Sequence, residues 1–142
     1  MLKGIPDILS PELLKILAEM GHGDELVIGD CNFPAASMNA RCARADGHRG
    51  VDLLDAILTF FPLDAFVETP VTLMQVVPGS MEGDPPVWKE IAAIVEKHEP
   101  GAKIEHIERF AFYDRARKAY ATLATSEKAF YACCIIKKGC LL

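Results

Sequence analysis

The sequence predicts a layered α/β/α domain built on a largely parallel sheet of about six strands, and three observations predict it. Short β-branched runs alternate along the chain with longer runs of helical periodicity. The run Leu26-Val27-Ile28-Gly29 is apolar on both parities, as a strand covered on two faces must be. No internal repeat, low-complexity tract or linker interrupts the chain, so residues 1–142 are expected to form one domain. With 51% of residues hydrophobic, such a domain can remove roughly 70% of its unfolded surface from water.

The first helix is announced by Ser10, Pro11 and Glu12: a capping hydroxyl, a proline whose missing N–H costs nothing in the first turn, and a carboxylate near the positive helix end. Leu13, Leu14, Ile16, Leu17 and Met20 follow at amphipathic spacing, and Gly21 is expected as a left-handed stop. The turn "GHGDE" then leads into the first strand, with Asp30 at its carboxyl end. "ARCARADG" reads as a weaker strand, residues 51–61 as a helix, and residues 69–77 as a strand. Pro78, Gly79 and "GDPP" mark a loop before a helix over residues 87–97, with Trp88, Ile91, Ile94 and Val95 inward. "AKIEHIER" gives the next strand, residues 112–119 a short helix, and residues 120–125 and 130–137 two last β stretches whose connection "SEKA" suits a hairpin.

Charge and composition narrow the function. A net charge of -5 offers no general attraction for nucleic acid or an anionic membrane surface. The N-terminus lacks the pattern of a secretory signal, and no apolar run reaches the ~18 residues needed to span a bilayer, so a cytoplasmic protein with neither nucleic-acid nor membrane partners is expected. Five cysteines, an odd number without a CxxC pair, are expected as free thiols. Cys133 and Cys134 are adjacent in an expected strand, point to opposite faces and do not readily share a metal, so no metal site is expected. A thiol-redox role would rest on that pair alone. The glycine-bearing loops match neither GxGxxG nor GxxxxGK[ST], and neither GxSxG nor HExxH occurs, so no nucleotide cofactor is expected.

The polar residues that stand out are His22 and Asp30, bracketing the first strand. A histidine in a glycine-flanked turn is sterically open and exchanges protons near neutral pH. Asp30 sits where an open α/β sheet presents groups to a ligand. The two lie at opposite ends of the same strand, about 20 Å apart at ~3.3 Å per residue over six residues. Sharing one site then requires either a shortened strand or a second subunit. Arg109 ends the "KIEHIER" run, where it can clamp a hydroxyl or pair with Glu108 or Asp114. Tyr113, Tyr120 and Tyr131 read as core aromatics with a hydroxyl reaching the surface, and His106 as an interior histidine.

"SPELLKILAEMGHGD", followed in order by "NFPAASM", "RADG", "RFAFYDRARKA" and a closing "KKG", resembles the sugar-mutarotase family that contains D-ribose pyranase and the fucose mutarotases. The resemblance runs from Met1 to about Gly139, and "RFAFY" favours the fucose branch. It implies a cofactor-independent and metal-free isomerase that interconverts the anomers of a free pyranose, L-fucose foremost. D-ribose pyranose–furanose exchange, or sugar binding without catalysis, are the alternatives. It also implies a cytoplasmic homo-oligomer with sites near subunit contacts. Carried over by position, His22 is the proton donor, while Asp30, Arg109, Tyr131 and the residue at position 133 bind the sugar. The chain departs from the family's Tyr-Gly-Asn or Tyr-Ala-Asn pattern at Cys133, where a thiol is a poorer hydrogen-bonding group than an amide, and at Ala36, where some members carry histidine.

Overall fold

A computed structural model describes all 142 residues. In chain order the elements are α1 (Pro11–Glu19), β1 (Glu25–Gly29), α2 (Ala35–Met38), β2 (Cys42–Ala45), α3 (Gly50–Leu58), β3 (Val71–Met74), α4 (Val87–His98), β4 (Ile104–Ile107), α5 (Arg109–Lys118), β5 (Ala121–Thr125) and β6 (Cys134–Lys137). The six strands form one sheet in the order β2-β5-β1-β6-β3-β4. Pairs β2–β5, β5–β1 and β3–β4 are parallel, whereas β6 runs antiparallel to both its neighbours β1 and β3. No helix is long and apolar enough to cross a membrane.

Alternation along the central strands assigns each side chain to one of two cores. Leu26 and Ile28 of β1 and Cys134 and Ile136 of β6 pack with α1, α3 and α4 on one face. Val27 and Ile135 pack on the other with Phe33, Phe112 and Ala116. Burial on both parities is why β1 reads as a continuous apolar run. The α1 start behaves as its residues predict: the Ser10 hydroxyl accepts from the Leu13 N–H at 3.1 Å, and Pro11 opens the helix.

Several boundaries differ from the sequence expectation. Helix α1 ends on an extended Met20 rather than on a left-handed Gly21; the left-handed glycine of this turn is Gly23, at φ 87°. Residues 120–125 and 130–137 do not form a hairpin, because β1 lies between β5 and β6. The second stretch is extended only from Cys134, and its Tyr131 adopts a left-handed φ of 60°. Cys133 and Cys134 nevertheless reach opposite cores. Helix α5 begins at Arg109, three residues before the expected start, because the Glu108 carboxylate caps it by accepting from the Phe110 and Ala111 amides at 2.8 and 3.1 Å. Glutamate is an unusual cap, so apolar parity alone kept residues 108–109 in the preceding strand. His106 on edge strand β4 is exposed and lies against the Trp88 ring, 4.4 Å between centroids, rather than in the interior.

Candidate active site

A cavity of about 370 Å³ opens at the carboxyl ends of β1 and β3, where an open α/β sheet is expected to bind ligands. Asp30, Asn32 and Phe33 from the turn after β1, Met74 and Val77 from the end of β3, Ser80 and Met81 from the following loop, Arg109 and Tyr113 from α5, and Phe130, Tyr131 and Cys133 from the segment before β6 line it. Parallel β1 and β3 bring their carboxyl ends to this edge, and antiparallel β6 brings its amino end there as well. Four sequence-predicted residues, Asp30, Arg109, Tyr131 and Cys133, therefore meet in one cavity.

Asp30 is fixed by the turn it starts. Its carboxylate accepts from the Asn32 N–H at 2.9 Å, and its own N–H donates to the Cys133 sulfur at 3.3 Å. Gly29 makes the turn possible: a Cβ there would stand 2.7 Å from the Phe33 ring, which folds back over the strand end. Burial, reinforced by the Asp30 carboxylate, pushes the Cys133 thiol well above its ordinary range, so it stays neutral and meets the main chain as an acceptor. The thiol thus makes a main-chain contact beside the cavity, although it cannot offer the paired donors of an amide.

Arg109 is the first residue of α5. It pairs with neither Glu108, which caps the helix, nor Asp114, which pairs with Arg117. Its guanidinium stacks over Phe110 at 4.6 Å, and its buried Nε has no hydrogen-bond partner. A buried donor left unsatisfied beside a cavity is a group waiting for an acceptor. The helix that carries it is held across the sheet by Arg115, which donates to Glu25 on β1 at 2.6 Å and to Glu105 on β4 at 2.8 Å.

Tyr131 is held at both ends. The Trp88 indole N–H donates to its carbonyl at 3.0 Å, while its phenol accepts from the Val77 N–H at 3.0 Å and contacts the Ser80 hydroxyl at 2.5 Å. Tyr113, read from the sequence as a core aromatic rather than a site residue, and Met74, which carried no signal, also line the cavity. Tyr113 is the last residue of "RFAFY", four after Arg109, so helical spacing on α5 was the available signal.

His22 is not in this cavity. It lies beyond the amino end of β1, where its Nε2 is 3.1 Å from the Asp64 carboxylate and its ring packs on Phe66, 5.5 Å between centroids. The His22 side chain is 47% exposed and that of Asp64 only 4%. Burial alone raises the Asp64 carboxyl, but hydrogen bonds from the Phe66 N–H and the His22 ring outweigh it and hold the group below its ordinary value. A buried carboxylate orienting a half-exposed imidazole is an arrangement suited to proton transfer. Asp64 escaped sequence reasoning because it lies 42 residues from His22 in a stretch without motif. Strand β1 spans Glu25–Gly29 and is not shortened, which keeps His22 and Asp30 at its opposite ends.

The description RbsD / FucU transport protein family fits residues 3–141. The chain is 52% identical over 140 residues to the L-fucose mutarotase of Actinobacillus pleuropneumoniae serotype 5b (strain L20), covering 98% of this chain and 96% of that protein. It superposes on the crystal structure of the fucose mutarotase in complex with L-fucose from Streptococcus pneumoniae with a TM-score of 0.92, at 42% identity, over 99% of this chain and all of that one. The structure of Bacillus subtilis RbsD complexed with D-ribose matches with a TM-score of 0.74 at 25% identity, over 100% of each chain.

Proposed function

The chain belongs to the RbsD / FucU family, and on that premise we propose that it is an isomerase interconverting the α and β anomers of L-fucose. The observation that supports the site is the cavity itself, where the Asp30 carboxylate and the unpartnered Arg109 guanidinium face a space suited to a monosaccharide. Relatives named for L-fucose resemble the chain more closely than the D-ribose-bound structure does, which favours fucose over ribose.

Mutarotation opens the ring by breaking the bond between the anomeric carbon and the ring oxygen. One proton is delivered to that oxygen and one leaves the anomeric hydroxyl; closure on the other carbonyl face reverses both transfers. In our reading His22 supplies the first proton. Asp64 occupies its Nε2, which leaves Nδ1 to carry the mobile proton toward the sugar. Asp30 accepts from sugar hydroxyls, and the Arg109 fork and Tyr131 orient the ring. Cys133 shapes the cavity wall and fixes the Asp30 main chain. Because sugars open spontaneously in water, one positioned acid–base pair worth roughly 10²–10⁴ in rate is enough.

His22 and the cavity occupy opposite ends of β1, so in this reading a second copy of the chain completes the site. Phe66, beside His22, is 70% exposed; Phe110 and Phe130, beside the cavity, are 60% and 69% exposed. Large aromatics left in water at both half-sites suit a head-to-tail contact between copies. Such a cytoplasmic oligomer would place the imidazole of one subunit over the cavity of the next.

The test is saturation-transfer NMR of free sugars. The protein is expected to accelerate anomer exchange of L-fucose, with His22→Ala abolishing the effect in a folded protein. Unchanged exchange in that variant removes His22 from the mechanism. Stronger exchange with D-ribose would assign the ribose reaction, and binding without exchange a sugar-binding role.

A further inference from the structure

The proton inventory around Tyr131 fixes which way its phenol faces. Ser80 Oγ lies 2.7 Å from the Val77 carbonyl oxygen and 2.5 Å from the Tyr131 hydroxyl. A carbonyl only accepts, so the single Ser80 proton must be given to Val77. The 2.5 Å contact can then be a hydrogen bond only if the Tyr131 O–H donates to Ser80. The Val77 N–H donates to the phenol from a third direction, at 3.0 Å. Its proton committed to Ser80 and one lone pair to Val77, the phenol has only an acceptor lone pair left to offer.

The main chain at Tyr131 is equally constrained. It is the one non-glycine residue with a positive φ, a conformation that disfavours L side chains, and the Trp88 indole N–H holds its carbonyl at 3.0 Å. Trp88 stands in the first turn of α4, just beyond the loop that carries Ser80, so both restraints on Tyr131 come from one stretch of chain.

We propose that Ser80 and Trp88 are positioning residues that act through Tyr131, Trp88 holding its left-handed main chain and Ser80 taking its phenolic proton, so that Tyr131 meets the sugar as a hydrogen-bond acceptor. The inference rests on the sugar-binding reading of the cavity and deepens it. It also means that Tyr131 is not placed to take the anomeric proton. Accepting that proton would require passing the phenolic proton on to Ser80 and the serine proton to an amide carbonyl, where the chain of donors ends. In this reading the Asp30 carboxylate on the cavity wall is left as the group that accepts it.

The experiment is a double-mutant cycle on the intact protein, with L-fucose as the probe and both dissociation constant and exchange rate as readouts. Ser80 is exposed, so Ser80→Ala should leave the fold intact; melting curves check this and Trp88→Phe. Each variant is expected to raise KM and Kd by about three- to tenfold, the worth of one net hydrogen bond, with less effect on kcat. In a Tyr131→Phe background the Ser80 effect should vanish and the Trp88 effect should shrink, because the indole–carbonyl bond survives but no longer positions a phenol. A penalty that persists undiminished in that background, or no penalty in either single variant, overturns the inference. If the wild type binds L-fucose without accelerating exchange, the mutarotase reading fails and the affinity cycle still decides this one. Absence of any L-fucose binding overturns both.

Discussion

If each active site joins His22 of one copy to the cavity of another, two inactive variants should restore each other. The structure sets the magnitude. His22 lies beyond the amino end of β1 and Asp30 just past its carboxyl end, roughly 20 Å apart by strand rise, farther than one pyranose can bridge. His22→Ala and Asp30→Asn each spoil every site in a pure oligomer. Mixed in equal amounts and allowed to exchange subunits, a head-to-tail assembly regains both wild-type halves at about one quarter of its sites. L-fucose anomer exchange should then rise from background to about one quarter of the wild-type rate, with subunit mixing confirmed by co-purification through a tag on one variant. The Asn substitution keeps an oxygen acceptor for the Asn32 N–H, so the turn after β1 should survive. Mixed oligomers that form but stay inactive would refute a site built between copies and require His22 to reach the cavity within its own chain.

Two further outcomes follow from the amino-end cluster. Asp64→Asn keeps the acceptor for Phe66 N–H but loses the carboxylate opposite His22, so L-fucose exchange should drop about tenfold or more while urea unfolding shows a loss of about 1 kcal/mol at neutral pH. The sign in pH is fixed by the depressed Asp64 carboxyl: its contribution is present above the ordinary carboxylate value and fades as pH falls through the lower folded value. The stability gap between wild type and Asp64→Asn should therefore close on acidification below about pH 4, and a gap that widens there would contradict it. At Gly139 an added Cβ would lie 2.5 Å from the Leu63 carbonyl oxygen and 2.8 Å from the Asp64 Cα, main-chain atoms that cannot swing aside. Gly139→Ala should destabilise by about 1–3 kcal/mol and slow exchange by displacing Asp64, although it touches no sugar; thermal melting and the NMR assay check both.

The layered α/β architecture was legible because α1, α3 and α4 carry strong amphipathic periodicity, β1 is a short run apolar on both parities, and α1 has an ordinary serine cap. What escaped was governed by partners distant in sequence. Strand β5 pairs with β1 and β2 rather than with its chain neighbour β6, a choice no local pattern encodes. The early start of α5 depends on a glutamate cap that propensity ranks low. Asp30, Arg109, Tyr131 and Cys133 were legible as members of one group through resemblance, and the cavity gathers all four. Spacing alone could assign them no common purpose. Asp64, Ser80 and Trp88 carry no motif; they become visible only when the chain brings them to His22 and Tyr131.

The antiparallel insertion of β6 explains how one short sheet holds the His22 turn at one end and the cavity at the other. At its amino end, Cys133 accepts the Asp30 N–H and Tyr131 enters the cavity beside the ends of β1 and β3. At its carboxyl end, the Lys138 carbonyl accepts from Gly23 and its N–H donates to Asp24, both at 2.8 Å, while the Lys137 carbonyl accepts from Asp64 at 3.0 Å. One strand therefore fixes the turn bearing His22, the segment bearing Asp64 and the floor of the cavity together. A parallel strand in that position would bring its carboxyl end to the cavity and its amino end to the histidine turn, reversing both sets of contacts. Because β6 is paired along both sides, the His22 turn and the cavity are tied to opposite ends of one hydrogen-bonded strand. On the proposed reading, completing the site from a neighbouring copy leaves this strand undisturbed.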